Sequence, residues 1–354
     1  MTQHGPSVWP TVSRRRFLQA TGLTGLALAG GSALASCGGN GGSEGSDRGA
    51  IELTVSNWPS LMYAVPWAVA LQHDLYKEHG IDLEGYVGSS GGGTTVRNVV
   101  TGGIPLGSVA TPASINAYEA GAPLKIVGAS IGTTADINFV TLPDRGIQGI
   151  EGLRGKRVGF TNPGSATHAC IVLSLEAAGI DLGEVKLQAM GGLSESHTAL
   201  KEGVIDAAPH ALPTFLMQES EGWETVFWTN EYIDFMQLSL IAGAPVIGED
   251  AEFIDALVSV YAEACEQTID DPARAAEAWS ANSEVPQEFA TRSLEMVDLE
   301  PYFTTALSVE GLNTSVDAMK ATETLDTDVE VDWEGMIDQQ FIPEASRIDI
   351  GQLK

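Results

Sequence analysis

Basic residues are scarce in this chain. Lys and Arg number 18 against 47 Asp and Glu, and the 354 residues carry a net charge of −29. Such a surface repels phosphate backbones and anionic headgroups, which excludes nucleic acid as a partner and excludes loose adhesion to a lipid surface. It also implies high solubility and suits a salty medium. Cysteine is rarer still, with three in the chain. There is no Cys-x-x-Cys pair and no Cys/His cluster of metal-ligand spacing, so neither a metal nor another cofactor is expected. The stretch GFTNPGSAT lacks the Gly-Lys-Ser/Thr ending of a P-loop. With so many carboxylates, pairs arise by chance and none can be assigned general-acid work. The chain therefore reads as a binder, not an enzyme. Past the N-terminal region, no run has the length and apolarity of a membrane span.

The N-terminus points to export. Ser13-Arg14-Arg15-Arg16-Phe17-Leu18 is similar to a twin-arginine motif, and a soft apolar stretch follows over 20–34. Leu34-Ala35-Ser36-Cys37 resembles a lipobox, which makes Cys37 the expected lipidation site. Residues 1–36 are then a removable signal. Residues 37–49, rich in Gly and Ser, form a flexible tether that cannot bury a core. The protein is expected outside the cytoplasm, in a periplasm or at the cell exterior, held to the membrane by lipid. Of the other cysteines, Cys170 and Cys265 fall in predicted helices. Two buried thiols are expected, with a disulfide as the alternative.

From residue 51 the pattern alternates strand and helix. Strands are predicted over 51–56, 81–88, 104–110, 123–130 and 137–143, then 156–160, 185–191, 204–213, 224–230 and 236–243. An early helix runs from residue 64 to near His79-Gly80. From Glu249 the chain turns helical and acidic, with segments over 253–268, 272–282, 286–294 and 309–321 and a last helix closed by 333–341. This grammar is that of a mostly parallel α/β sheet. The loop Thr161-Asn162-Pro163-Gly164-Ser165-Ala166-Thr167 sits between a strand and a helix. It is either a tight connection with Ser or Thr as the cap, or a ligand site at a helix start.

Four stretches together resemble the solute-binding lipoproteins of ABC importers, in the nitrate/sulfonate/taurine group that also holds binders of thiamine pyrimidine precursors. They are LYKEHGIDLE (75–84), GSSGGGTT (88–95), GGIPLGSVATPASINAYEAGAPLKIVG (102–128), and EGLRGKRVGFTNPGSATHACIVLSLEAAGI (151–180) with KEGVIDAAPHALP (201–213). Pro105 stands where the family's Gly-x-x-Asp-x-Gly strand carries an acid, and Trp58-Pro59-Ser60 replaces the Trp-x-Pro-Asn turn of the pyrimidine-precursor binders.

The resemblance implies the two-lobed α/β periplasmic binding protein type 2 fold, with a helical C-terminal tail packing on lobe one. Lobe one is expected over 50–137 and 238–354, lobe two over 138–237, with hinge crossings near 137–143 and 236–243. The ligand is then a small solute held between the lobes. The expected contacts are Asn57, Trp58, Ser89, Ser90, Gly91, Gly92 and Thr111 from lobe one. From lobe two they are Asn162, Ser165, Ala166, Thr167, His168 and His210. Glycines permit close backbone approach, hydroxyls donate or accept, and paired helix starts hold an oxyanion without Lys or Arg. Trp58 is the expected platform for a ring or alkyl chain. The favoured solute is a small anion such as an alkanesulfonate, taurine or nitrate. A pyrimidine precursor or aromatic carboxylate is the alternative, and a pyrimidine-synthase-like enzyme a further one. The closed face is expected to dock on ABC permease subunits.

Overall fold

The computed structural model describes residues 49–89 and 91–354; the signal, Cys37, nearly all of the tether and Ser90 lie outside them. Ten predicted strands form as β1 (Ile51–Ser56), β2 (Leu83–Ser89), β3 (Leu106–Ala110), β4 (Leu124–Ile131), β5 (Ile137–Thr141), β6 (Arg157–Phe160), β7 (Lys186–Ala189), β8 (Ala208–Ala211), β9 (Glu224–Trp228) and β10 (Leu238–Gly243). They are short and mostly buried, which the apolar runs between Gly and Pro breaks require.

The first sheet has the order β2-β1-β3-β10-β4, with β1 parallel to β2 and β3, and β10 antiparallel to β3 and β4. The second group comprises β8-β5-β9, with β5 antiparallel to both neighbours, and the parallel pair β6-β7. A parallel bridge from Val158 to Ala207 joins β6 to the entry of β8. The second group thereby repeats the first, in the order β7-β6-β8-β5-β9, and in both the fourth strand runs against its neighbours. That strand is in each case the one arriving from the other group. The crossings themselves are residues 132–136 and 229–237, just ahead of the strands expected to act as hinges.

Helices cover the sheets: α1 (Val65–Gln72), α2 (Leu75–Glu78), α3 (Gly92–Val100) and α4 (Thr111–Glu119) on the first, then α5 (Ala166–Ala177), α6 (Leu193–Lys201) and α7 (Thr214–Met217) on the second. The tail adds α8 (Ala244–Glu249), α9 (Ala251–Asp270), α10 (Pro272–Ala281), α11 (Gln287–Glu295), α12 (Leu299–Tyr302), α13 (Val309–Ala321) and α14 (Trp333–Met336). None of the described helices is long and apolar enough to cross a membrane.

Two helices are shorter than their sequence pattern. The early one breaks after Gln72, where Asp74 takes a left-handed φ of 58°, a conformation Asp tolerates better than most residues. The last one stops at Met336 because the chain then extends. Ile337 pairs with Ile126, and Asp338 N–H donates to Ile126 O at 2.9 Å. The extended segment covers the edge of β4, which a helix there would leave open.

The main core packs α1 against α9 and α10, around the fully buried Trp67, Tyr261 and Trp279. Trp279 Nε1 donates to Pro59 O at 2.9 Å, which ties the tail to the turn after β1. A second cluster joins β4 and β10 to α13 and α14. In the other group Phe139 and Phe227 stack at 5.1 Å. The tail does more than cover the first sheet: Ala318 of α13 packs with Ala169 and Leu173 of α5 and with Phe235. Cys170 and Cys265 are buried and unbridged.

Gly92 illustrates how tightly α3 lies on α4. A Cβ there would stand 2.4 Å from Ala113 Cβ, whereas one on Gly93 meets nothing within 4 Å. Gly92→Ala is expected to cost about 1–3 kcal/mol through overpacking. Gly93→Ala should be neutral or gain up to about 1 kcal/mol from helix propensity. Urea denaturation of the two variants checks this.

Candidate functional site

Parallel strands aim their C-terminal turns at one edge, where α/β sheets offer ligand sites. After β1, Asn57 adopts a φ of 54° and Trp58 follows, half-buried. The turn is held by Asn57 N–H donating to Ser89 O at 2.8 Å and Ser60 N–H to Asn57 O at 2.9 Å. Gly88 is needed beside it, because a Cβ there would lie 2.9 Å from Trp58 O. Trp58 meets Tyr86 edge-on, ring centroids 4.6 Å apart. After β2, the Ser89 hydroxyl is bonded to Thr95 and that of Thr95 to Ser56, so Ser89 is committed to a buried hydroxyl chain. Thr111 is likewise buried, its hydroxyl 2.9 Å from that of Ser239 and its N–H donating to Gln237 O at 3.0 Å. Gly91 and Ala110 cap α3 and α4, and neither end has a side-chain cap.

The loop before α5 is satisfied from within. Ser165 is the cap of α5, accepting from His168 N–H at 3.2 Å. The hydroxyls of Thr161, Ser165 and Thr167 form a triangle with sides of 2.8, 2.9 and 3.1 Å. Asn162 bridges to the neighbouring turn by donating to Gly191 O at 2.9 Å. Ala166 opens the helix and packs in the α5–α13 cluster. His168 Nδ1 accepts from Gly164 N–H at 3.3 Å and its ring stacks on Phe160 at 4.0 Å. Partial burial lowers its pKa, so it is a neutral imidazole with Nε2–H facing outward from that bond. A Cβ on Gly164 would stand 3.3 Å from Thr324 Cγ2 and 3.8 Å from Asn116 Nδ2, so this loop abuts α4 and the end of α13.

His210 has no free ring nitrogen. Nε2 pairs with Gln218 Oε1 at 3.0 Å and Nδ1 accepts from Ala211 N–H at 3.0 Å. It stacks on His197 at 3.9 Å, and Phe215 and Trp223 meet its ring edge-on. Burial first, and the neighbouring His197 second, push its pKa down to about 3.

The sequence Gly88-Ser89-Ser90-Gly91-Gly92 also has the Gly-x-Ser-x-Gly spacing of a nucleophile elbow. His73, His79, His168, His197 and His210 bond Gln267, Glu263, Gly164 N, Pro209 O and Gln218, so none of them is engaged there as a base.

Trp58 and Ala110 from the first group and Leu193, Phe215 and Trp228 from the second are partly buried and pack against the same main core, a stretch called the seam below. Phe215 and Trp228 meet edge-on at 5.7 Å. On the flank, Arg292 of α11 forms a bidentate pair with Glu219 at 2.7 and 3.1 Å. No turn facing the seam contains Lys or Arg.

Sequence reasoning missed a buried acid where the two crossings meet. Asp136 lies in the first crossing and is fully buried. With its amide set by the oxygens around it, Gln237 of the second crossing donates to Asp136 Oδ1 at 3.0 Å and to Thr133 O at 2.9 Å. Tyr63 and Tyr302 stand beside the carboxyl, and the Asn57 amide faces the Tyr63 hydroxyl. The Tyr302 hydroxyl holds the carboxyl down somewhat, yet Oδ2 has no partner at hydrogen-bond geometry. Desolvation dominates and raises Asp136 to about 7. The available signal was a lone acid inside the apolar run 124–141.

A family model described as NMT1/THI5 like matches residues 62–275. No curated protein matches the chain. Among solved structures, the alkanesulfonate-binding protein SsuA from Xanthomonas axonopodis pv. citri, bound to MOPS, aligns with a TM-score of 0.70 at 17% identity, over 83% of this chain and 99% of that one. The periplasmic aliphatic sulphonate binding protein SsuA from Escherichia coli gives 0.69 at 17% identity, over 83% and 93%. The periplasmic nitrate-binding protein NrtA from Synechocystis PCC 6803 gives 0.69 at 14% identity, over 87% and 91%. These likenesses establish the two-lobed periplasmic binding protein fold.

His210 makes folding pH-dependent. Its folded pKa is depressed, so the unfolded chain binds the extra proton, and stability is lost as pH falls from about 6.5 toward 3. The loss is of order 4 kcal/mol across that window. His210→Leu should flatten this acid limb in a series of urea denaturations, even if it lowers stability at pH 7.

Proposed function

The chain belongs to the NMT1/THI5-like family, and from that premise we propose that it is the extracytoplasmic solute-binding component of an ABC importer, with no catalytic role. The reading treats residues 50–137 and 238–354 as one lobe and 138–237 as the other. Their crossings serve as the hinge, and a solute bridging the seam shifts the open–closed equilibrium. Cys37 carries the lipid, and the closed face presents itself to the permease. The observation that carries this reading is that strand-end residues of both groups, Trp58 and Trp228 among them, pack against one apolar core.

The solute we favour is a small anion such as an alkanesulfonate, taurine or nitrate. Support comes from the helix starts of α3 and α4, which lack side-chain caps and follow β2 and β3, the strands on either side of β1. Their partial positive charge suits an oxyanion where no cation is at hand. Gly91, Gly92 and Thr111 border these starts, with Ser90 next to Gly91 in sequence, and Asn57 and Trp58 complete the set from this lobe. Asn162 and the loop from Ser165 to His168 approach from the other lobe. Within this set Ser89, Thr111, Ser165 and His210 act as scaffold, since their polar side-chain atoms are already engaged. A second reading, an aromatic carboxylate or pyrimidine precursor, is favoured by the half-buried Trp58 ring alone.

Calorimetric titration with methanesulfonate, taurine, nitrate, benzoate and an aminopyrimidine tests both. Methanesulfonate or taurine is expected to bind, and Trp58→Ala should change that affinity by less than about threefold. Binding by ring compounds only, with a loss of about tenfold or more in Trp58→Ala, would replace the first reading with the second. Binding by none of them would overturn the solute assignment.

A further inference from the structure

We propose that lobe closure is linked to protonation of Asp136, so that the protein closes more readily as its surroundings become more acidic. The proposal rests on the clamp reading above and adds the chemistry of its joint. Asp136 stands where the two crossings touch. Gln237 of the second crossing donates to its Oδ1 and to Thr133 O, and Leu212 N–H, from the end of β8, donates to Asp136 O at 3.0 Å. The cage around the carboxyl is built from both lobes. Tyr63 comes from the turn ahead of α1 and Tyr302 from α12, while Cys170 comes from α5. Tyr261 of α9 stands behind Tyr302. Among the described residues, Tyr63, Tyr302 and Cys170 are the titratable groups coupled to Asp136, with Tyr261 acting through Tyr302, and none of them is a cation. Oδ2 has no partner at hydrogen-bond geometry.

A carboxylate in such a cage lacks both water and a counter-charge, so the neutral acid is favoured. Burial accordingly raises Asp136 to about 7. Rotation of the lobes about the crossings must part Tyr63 and Tyr302 from Cys170 and admit water. The hydrated carboxyl returns toward the ordinary range near 4. Between these two values closure takes up one proton from solvent. The closed fraction thus rises as pH falls, by about tenfold from pH 8 to pH 6 in the closing equilibrium.

The test is small-angle scattering of the solute-free protein across pH 5–8, with wild type, Asp136→Asn and Tyr302→Phe. Wild type should become more compact on acidification. Asp136→Asn, which mimics the neutral acid, should stay compact throughout. Tyr302→Phe removes a hydroxyl that favours the charged form and should move the transition to higher pH; it carries the test if Asp136→Asn does not fold. A wild-type radius that is flat across the range overturns the proposal. So does an unchanged transition in Asp136→Asn, or, where that variant does not fold, in Tyr302→Phe. Methanesulfonate titrated at pH 6 and pH 8 separates the two readings. If it does not bind, the choice of solute fails while the scattering result still decides the hinge.

Discussion

The structure depends on a constraint at its middle: the chain passes twice between two half-sheets and cannot leave polar backbone unpaired there. Buried crossings have no water to satisfy them, so side chains must do it. Thr229 donates from one crossing to the other, its hydroxyl 2.9 Å from Thr134 O, and Gln237 does the same toward Thr133 and Asp136. Thr111 closes the set by donating its N–H to Gln237 O. The strand that leaves each crossing enters the opposite sheet against its neighbours. That single reversal fixes the order of both sheets and places their strand ends on a common seam.

Polarity at the seam follows from the same need. Ser89, Thr95 and Ser56 satisfy one another beneath the first sheet, and Thr161, Ser165 and Thr167 do so at the start of α5. Small hydroxyls there build a floor whose shape is set before any solute arrives. In the proposed site the solute meets backbone at the start of α3 and the ring of Trp58, since the Thr111 N–H at the start of α4 is already bonded to Gln237 O. The acidic surface is no contradiction, because ion pairs such as Arg157–Asp206 at 2.7 Å, and Arg154 with Glu151 and Glu184, involve none of the proposed contact residues.

Most of the fold was legible in the sequence because strands here are short apolar runs bounded by Gly or Pro, and such runs have few alternatives. The helical stretch through residue 79 was less so: a left-handed Asp74 breaks it, and single-residue breaks leave no periodic trace. The ending at 333–341 reads as one helix locally, yet the bare edge of β4 draws Ile337 into a strand pairing. Of the site, the turns were visible as Gly, Ser and Thr beside strand ends. Their internal bonds were not, since sequence cannot say whether Ser165 caps its own helix or faces a solute. His210 shows the same gap, its two nitrogens being engaged by Gln218 and by the next backbone N–H.

Asp136 and His210 then act against each other. Both are buried without a counter-charge, and both are held neutral. For the acid, neutrality means a raised pKa and stability that is lost as pH climbs from about 4 through 7. For the imidazole it means a depressed pKa and stability lost as pH falls from about 6.5 toward 3. Over the shared window their contributions to folding partly cancel, so the whole protein's stability can vary little with pH while the joint does not. His210 sits within the second group, among His197, Phe215 and Trp223, where lobe motion does not unpack it. Asp136 sits between the groups, where the proposed lobe motion would. Of these two groups, the acid is the one that the proposed hinge would let link pH to shape.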